Sequence, residues 1–370
     1  MRTPAWRRYG ALVTSGLLAA GLALTVPGTA TAAPPADEQS ARWLEDELTN
    51  GLVHNDQFDF DDYGLTADFG FALAEIGGHR PAVKKIGRKL AKHIDSYTTG
   101  VDFGTSDVYA GPVAKAVVLA QTTGMNPKDF GGVNLVTRLH RRMSDERGIV
   151  GRIEDKSGFG DNANTIGQAF AAQGLDQARS RHADEALKFL LKQQCEKGWF
   201  RLNFTADKDA KDQTCDGGNR KTTSAPDTDV TALAVLSLLD LRKLTPKVRR
   251  AIDDAVSWLE RKQARNGSFG GGPATEAANT NSTGLAAWAM GEAGSCGAAN
   301  KAARWIAKLQ VSGNLAGTEF RGEKGAIAYD KAAYREAEQD GIDVEERDQW
   351  RRATAQAAPA LLYLVVDGCD

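Results

Sequence analysis

Two kinds of hydrophobic pattern alternate along the chain. One is amphipathic: Ile252-Asp253-Asp254-Ala255-Val256-Ser257-Trp258-Leu259-Glu260-Arg261-Lys262 sets apolar residues three and four apart with charges between them, the stripe of a helix with one face in water. The other is apolar nearly all round, as in Ala232-Leu233-Ala234-Val235-Leu236, Gly284 to Met290, Ile166 to Ala172 and Ala67 to Leu73, which marks a helix buried on every side. The amphipathic kind recurs at Trp43, Val83 to His93, Leu139, Phe189, Trp258 and Trp305. An apolar one follows each, with Val108 to Gln121 and Ala353 to Val366 completing the second set. Six such pairs predict an all-α fold, an α6/α6 toroid with an inner ring of buried helices inside an outer ring. A closed ring also explains why neither end carries the polar capping repeat that an open solenoid needs.

Local punctuation repeats with the helices. Phe189-Leu190 is followed by Gln194 and Gly198, Trp258-Leu259 by Gln263 and Gly267, and Trp305-Ile306 by Gln310. Trp43-Leu44 with Gly51, Leu139-His140 with Gly148, and the Val83 to His93 segment with Gly100 are more worn copies. An Asp or Asn stands ahead of the apolar helices: Asp62 before Thr66, Asp161 before Thr165, Asp227 before Thr231, Asn279 before Thr283. Such a residue accepts hydrogen bonds from the free N–H groups of a helix start and suits its positive dipole end. The connections from outer to inner helices are long, notably 195–227 and 311–352, and those from inner to outer are short. In a toroid the long ones share one end with the inner-helix N-termini, so the pocket is expected there.

The Gln and aromatic spacing resembles the glutamine–tryptophan repeat of squalene and oxidosqualene cyclases. The chain is therefore similar to the terpenoid cyclase and protein prenyltransferase α/α-toroid superfamily, which includes the corrinoid carriers. That resemblance implies a toroid and leaves the reaction open. Asp59-Phe60-Asp61-Asp62 resembles the D-x-D-D motif of class II terpene cyclases, whose middle acid protonates an alkene or epoxide; this assigns Asp61 as acid with Asp59 and Asp62 beside it. Paired carboxylates can hold a proton because both do not ionise cheaply together. Tyr63-Gly64 stands where the family has Thr-Ala, and Asp62 also occupies a capping position, so capping or a structural cation is the competing reading. Glycan hydrolysis by two of Asp61, Asp62, Asp107, Asp161, Asp227 and Asp229 is a further enzymatic alternative. Prenyltransferase zinc chemistry lacks a His near Cys215-Asp216, and Asp207 to Asp212 lacks the Gly and closing Glu of a calcium loop, so no metal site is expected. The leading expectation is binding of a small, partly apolar ligand by Asp161, Asp227, Asp229 and Trp288, with Phe69 and Phe71 as further candidates to line a cavity. The corrinoid carriers have a second, β domain without a counterpart here.

Composition narrows the setting. The 370 residues carry 46 basic and 48 acidic side chains, which offers no basic field for nucleic acid and no polybasic anchor. Residues 1–32 read as a signal peptide: Arg2, Arg7 and Arg8, the apolar run Ala11 to Val26, then Ala30-Thr31-Ala32. The Arg7-Arg8 pair leaves Sec and twin-arginine export both open. Residues 33–370 then form a single secreted toroid domain, expected to be a monomer with no membrane span and no cofactor that the sequence names. The four Cys suit an oxidising compartment. Cys195 and Cys215 fall at the mouth end, Cys296 and Cys369 at the opposite end. An inner helix of about a dozen residues separates the ends by roughly 18 Å, beyond the reach of about 7 Å for a disulfide, so the pairs are Cys195–Cys215 and Cys296–Cys369. Edman sequencing of protein from the culture medium should start near Ala33; secreted material that keeps Arg7 and Arg8 would contradict the leader.

Overall fold

The computed structural model describes residues 34–217 and 224–365; the signal-peptide expectation for residues 1–32 lies outside them. Six amphipathic outer helices are α1 (Ala36–Asp46), α3 (Arg80–Lys92), α6 (Leu135–His140), α8 (Ala183–Lys192), α10 (Pro246–Lys262) and α12 (Cys296–Ile306). Six inner helices are α2 (Tyr63–Ile76), α5 (Ala110–Thr122), α7 (Thr165–Gln177), α9 (Thr228–Leu239), α11 (Thr280–Glu292) and α14 (Arg347–Ala357). Short helices α4 (Ile94–Thr98) and α13 (Lys331–Asp340) lie in outer-to-inner connections. The inner helices pack in chain order, α2 on α5, α5 on α7, α7 on α9, α9 on α11 and α11 on α14, and α14 returns to α2. The α6/α6 toroid is therefore what the chain forms.

Small residues let the inner helices approach. A methyl group on Gly284 of α11 would lie 2.4 Å from the Cα of Ala357 in α14, and one on Gly167 of α7 would lie 2.9 Å from the Cα of Gly111 in α5. Larger side chains there would push the ring open.

The fourth, fifth and sixth repeats are each strapped to the next by a Gln. The Nε2 of Gln194 donates to the carbonyls of Gly198 and of Ala251 in α10, both at 2.8 Å. Gln263 does the same to Gly267 and to Ala298 of α12. Gln310 reaches Ala36 of α1 at 2.7 Å and Ser40 Oγ at 2.8 Å, so the sixth repeat ties to the first. The glycine of each strap has positive φ and touches the next outer helix: a methyl on Gly267 would lie 2.3 Å from the Lys301 oxygen, and one on Gly325 2.1 Å from the Gln39 oxygen. Ring closure adds charge, with Glu47 held by Arg347 and Arg351 at 2.6 Å each, and Glu323 by Arg347 and the Trp43 indole.

Inner-helix starts follow a second rule. Asp62, Asp227 and Asn279 accept from N–H groups of the first turn. Four residues later, the hydroxyls of Thr66, Thr231 and Thr283 accept from the N–H groups of Val53, Phe200 and Phe269. The third repeat departs from the register read in the sequence. Asn164, not Asp161, caps α7. Gln168 takes the place of both the repeat Thr and the strap Gln: it accepts from Ile153 N and donates to the carbonyls of Gly151 and Ala186. Gly151 is thus the strap glycine and Gly148, which meets nothing within 4 Å, is not. The sixth inner helix starts at Arg347 rather than Ala353 and ends as 3₁₀ turns over Ala358–Tyr363. A small antiparallel sheet of β1 (Leu48–Thr49), β2 (Leu52–Asn55) and β3 (Phe60–Asp61) was not foreseen.

Cys195 and Cys215 are joined, with Cα atoms 4.9 Å apart. Cys296 is also disulfide-bonded, and Cys369 lies outside the described residues. Gln310→Leu should strand two polar partners at the junction of the last and first repeats and cost about 2–4 kcal/mol. Urea unfolding at constant slope measures it, and a loss below about 0.5 kcal/mol would show that the strap does not hold the ring.

Candidate functional site

The inner ring encloses a cavity of about 420 Å³. Each inner helix turns one face to it, at spacings of three or four residues: Asp68, Phe71 and Glu75 on α2; Lys115, Val118 and Thr122 on α5; Leu233, Leu236 and Asp240 at α9; Leu285, Trp288 and Glu292 on α11. Since the helices run side by side, these spacings become layers. Nearest the inner-helix N-termini, Asp68 and Lys115 form an ion pair at 2.7 Å among Phe170, Leu233 and Leu285. The waist is apolar, made by Phe71, Val118, Leu236 and Trp288, and Phe71 stacks on Phe170 with centroids 5.8 Å apart.

At the C-terminal end of the inner ring the lining turns polar and acidic. Asp240 accepts from Gln173 Nε2 at 2.8 Å, Glu292 accepts from the Tyr363 hydroxyl at 2.7 Å, and Glu75 shares their layer. Helix C-termini disfavour negative charge, so this layer favours a cation or a hydrogen-bond donor. The Trp288 indole N–H meets no acceptor among the described residues. The cavity thus runs the length of the inner ring, rather than forming only at the N-terminal mouth. Phe71 lines it, whereas Phe69 is fully buried in the packed core.

The three acids of the D-x-D-D string lie away from it. Asp59 is exposed at positive φ. Asp61 sits 3.0 Å from His54 Nδ1 and, with its hydrogen bond foremost, raises the His54 pKa. Asp62 caps α2 through Oδ1 and binds Arg352 through Oδ2 at 2.5 Å, which commits both oxygens. Asp161 pairs with Arg152 and Lys208 and accepts from Asp155 N. Of the acids named from sequence, none lines the cavity; Trp288 does.

Asp227 and Asp229 instead share a dry corner at the start of α9. The loop Gly270-Gly271-Gly272 covers them: a methyl on Gly271 would lie 2.9 Å from Asp229 Oδ2, and one on Gly272 2.2 Å from Asp227 Oδ2. Thr228 Oγ1 donates to Gly270 O at 2.7 Å and holds that loop down. Burial raises both carboxyls. Asp229 is pushed up to about 6 by burial and by the charge of Asp227, while the Ser282 hydroxyl acts the other way. Its Oδ1 meets no donor among the described residues. Asp229 lies one helical turn before Leu233, on the same face of α9.

This ring, with its repeat straps and central cavity, defines a class. Residues 166–326 match the family described as the prenyltransferase alpha-alpha toroid domain. Among solved structures, the chain is similar to the type II terpene cyclase MstE from Scytonema in complex with geranylgeranyl dihydroxybenzoate, at 14% identity over 90% of this chain and 96% of that one, TM-score 0.59. It is also similar to the unsaturated glucuronyl hydrolase of Bacillus sp. GL1, at 13% identity over 89% and 95%, TM-score 0.55. A protein from Actinoplanes gives 16% identity over 89% and 98%, TM-score 0.58. No curated protein matches the chain in sequence. The resemblance to the terpenoid cyclase and prenyltransferase toroids thus holds at the level of the fold, which cyclase and glycan hydrolase share.

Asp229 gives the corner a pH signature. Its folded pKa, about 6, lies above the unfolded value near 3.8, so the folded chain binds the extra proton and stability falls as pH rises between these values. Asp229→Asn removes the penalty and should stabilise the protein at pH 8 by on the order of 2 kcal/mol, with the gain vanishing near pH 4. Thermal melts of both proteins across that range check it; a pH-independent difference would refute the buried acid.

Proposed function

We propose that the protein is an extracellular binder of a small, partly apolar molecule, held in the central cavity as a monomer. The observation that carries this reading is the cavity itself. An apolar waist of Phe71, Val118, Leu236 and Trp288, with Phe170 stacked on Phe71, adjoins the layer of Glu75, Asp240 and Glu292, in a cavity within the volume range of ligand pockets. The body of the ligand packs against the aromatic wall. Its donor-bearing or cationic end faces the carboxylates, and an acceptor on it meets the Trp288 N–H. The Cys195–Cys215 bridge supports a location outside the cytoplasm; no described helix is long and apolar enough to cross a membrane.

A second reading, acid catalysis on an alkene-bearing substrate, is favoured by one observation. Burial raises the Asp229 pKa to about 6, one helical turn before the cavity-lining Leu233, and the structurally similar MstE is a terpene cyclase. If this chain is an acid catalyst, Asp229 is a better donor than Asp61, which is engaged by His54.

Mass spectrometry of solvent extracts should find a small molecule on the protein purified from medium. It should be absent from Leu236→Trp, which fills the waist, at a melting temperature within a few degrees. Glu292→Gln should weaken retention about tenfold, the loss of one charge-assisted contact. If neither the extracts nor a Nile red titration distinguishes wild type from Leu236→Trp, the binding reading fails. Conversion of a polyene by wild type but not by Asp229→Asn would establish the catalytic one.

A further inference from the structure

Several large apolar side chains stand in solvent at one end of the ring. Phe58 is 68% exposed, Phe103 79% and Phe159 85%, and Phe60 and Val101 are about half exposed. They lie on three loops that lead into α2, α5 and α7, at the N-terminal end of the inner ring. The loops adjoin and are tied down. Asp107 accepts from Ser157 Oγ at 3.0 Å and from Gly158 N, and Val108 pairs with Thr99 on one side and Lys156 on the other. Asp102 accepts from Ser96 Oγ of α4 at 3.1 Å, and Tyr97 of α4 packs edge-on against Tyr63 at the start of α2, with centroids 6.3 Å apart, so the first two loops lie on neighbouring elements. Single exposed apolar residues need no explanation, but a group of them on anchored, adjoining loops marks an interaction surface.

Carboxylates alternate with these side chains, in Phe58-Asp59-Phe60-Asp61 and in Val101-Asp102-Phe103. Across residues 54–61, 100–107 and 155–161 the only Lys or Arg is Lys156. Asp59 and Asp61 share the ring of His54, and Asp59 is 97% exposed.

We propose that this rim is a docking surface for a partner protein that presents basic and apolar side chains together. Charge complementarity selects that occupant. The Phe rings supply apolar anchors and faces for Lys or Arg, while the aspartates between them match the positive charge. A bilayer suits the surface poorly, because inserting Phe58, Phe60 and Phe103 would carry Asp59, Asp61 and Asp102 into headgroups that are neutral or anionic. A second copy suits it poorly too, because a two-fold contact would set the same carboxylates against each other. The docking does not depend on what the cavity holds.

A synthetic amphipathic peptide with one Lys face and one Leu face serves as probe, with its Glu/Leu counterpart as control. Isothermal titration should show binding of the Lys/Leu peptide that weakens with salt and no binding of the control. Affinity should drop at least about tenfold in the combined Phe58→Ser, Phe103→Ser, Phe159→Ser variant. It should also drop in the combined Asp59→Asn, Asp61→Asn, Asp102→Asn variant, with both melting temperatures unchanged. Peptide affinity unaltered by either variant overturns the proposal. Phe-dependent pelleting with phosphatidylcholine or phosphatidylglycerol vesicles would overturn it in favour of a membrane, and Phe-dependent self-association in sedimentation would overturn it in favour of a second copy.

Discussion

From the third repeat on, the ring depends on one kind of contact, a Gln amide that bridges a turn to the next outer helix. Gln194 and Gln263 do this between neighbouring repeats, each donating to the carbonyl of its own turn and to one of the next helix; Gln310 donates to Ala36 O and Ser40 Oγ of α1, and Ser40 Oγ in turn donates to the carbonyl of Gly325. A buried amide with two acceptors satisfied stabilises the fold modestly, but leaving those groups unpaired is costly. The glycine of each turn must approach the next helix closely for the Gln to reach, which explains why Gly267 and Gly325 have no room for a side chain. The third repeat reaches the same end by a different route, since Gln168 comes from the inner helix and still bridges Gly151 to Ala186. Identity of the bridging residue is thus secondary to the bridge.

Closing the ring sets the character of the centre. Outer straps fix the radius, and small residues such as Gly167 and Gly284 bring the inner helices into contact. Six helices at that radius leave a space that their own side chains do not fill, so each inner helix has a packed face and a lining face. The lining faces carry the charges that an apolar helix would otherwise lack: Asp68 with Lys115 at one level, and Glu75, Asp240 and Glu292 at another. These are the groups that give the cavity polarity at one end and an apolar waist.

The acids of the inner-helix starts illustrate how one residue type takes separate roles. Asp62 is spent on a helix cap and on Arg352 across the ring closure. Asp227 caps α9 with one oxygen while the glycine loop dries the other. Asp229, two residues on, keeps its proton to a higher pH because burial and the Asp227 charge act together. Local spacing is similar in Asp59 to Asp62 and in Asp227 to Asp229; only the loops packed on them differ.

The sequence alone determined the fold class, because hydrophobic periodicity and repeat punctuation are local and recur six times. Alternating amphipathic and apolar helices, the Asp and Asn caps at Asp62, Asp227 and Asn279, and the Cys195–Cys215 pairing all follow from residues within one or two turns, or from which end of a helix they occupy. The register of the third repeat was not legible: Asp161 and Asn164 are both good caps, and only packing chose Asn164. Nor was the cavity, since the residues that line it are separated by whole repeats. Its lining did leave a trace, in charged residues such as Asp68, Lys115 and Glu75 within otherwise apolar helices, but which face turns inward depends on the neighbours on both sides. Tertiary structure alone decided which carboxylates sit in water, in ion pairs or under a glycine loop. That is because a carboxylate's chemistry is set by what packs on it, and here that comes from loops dozens of residues away.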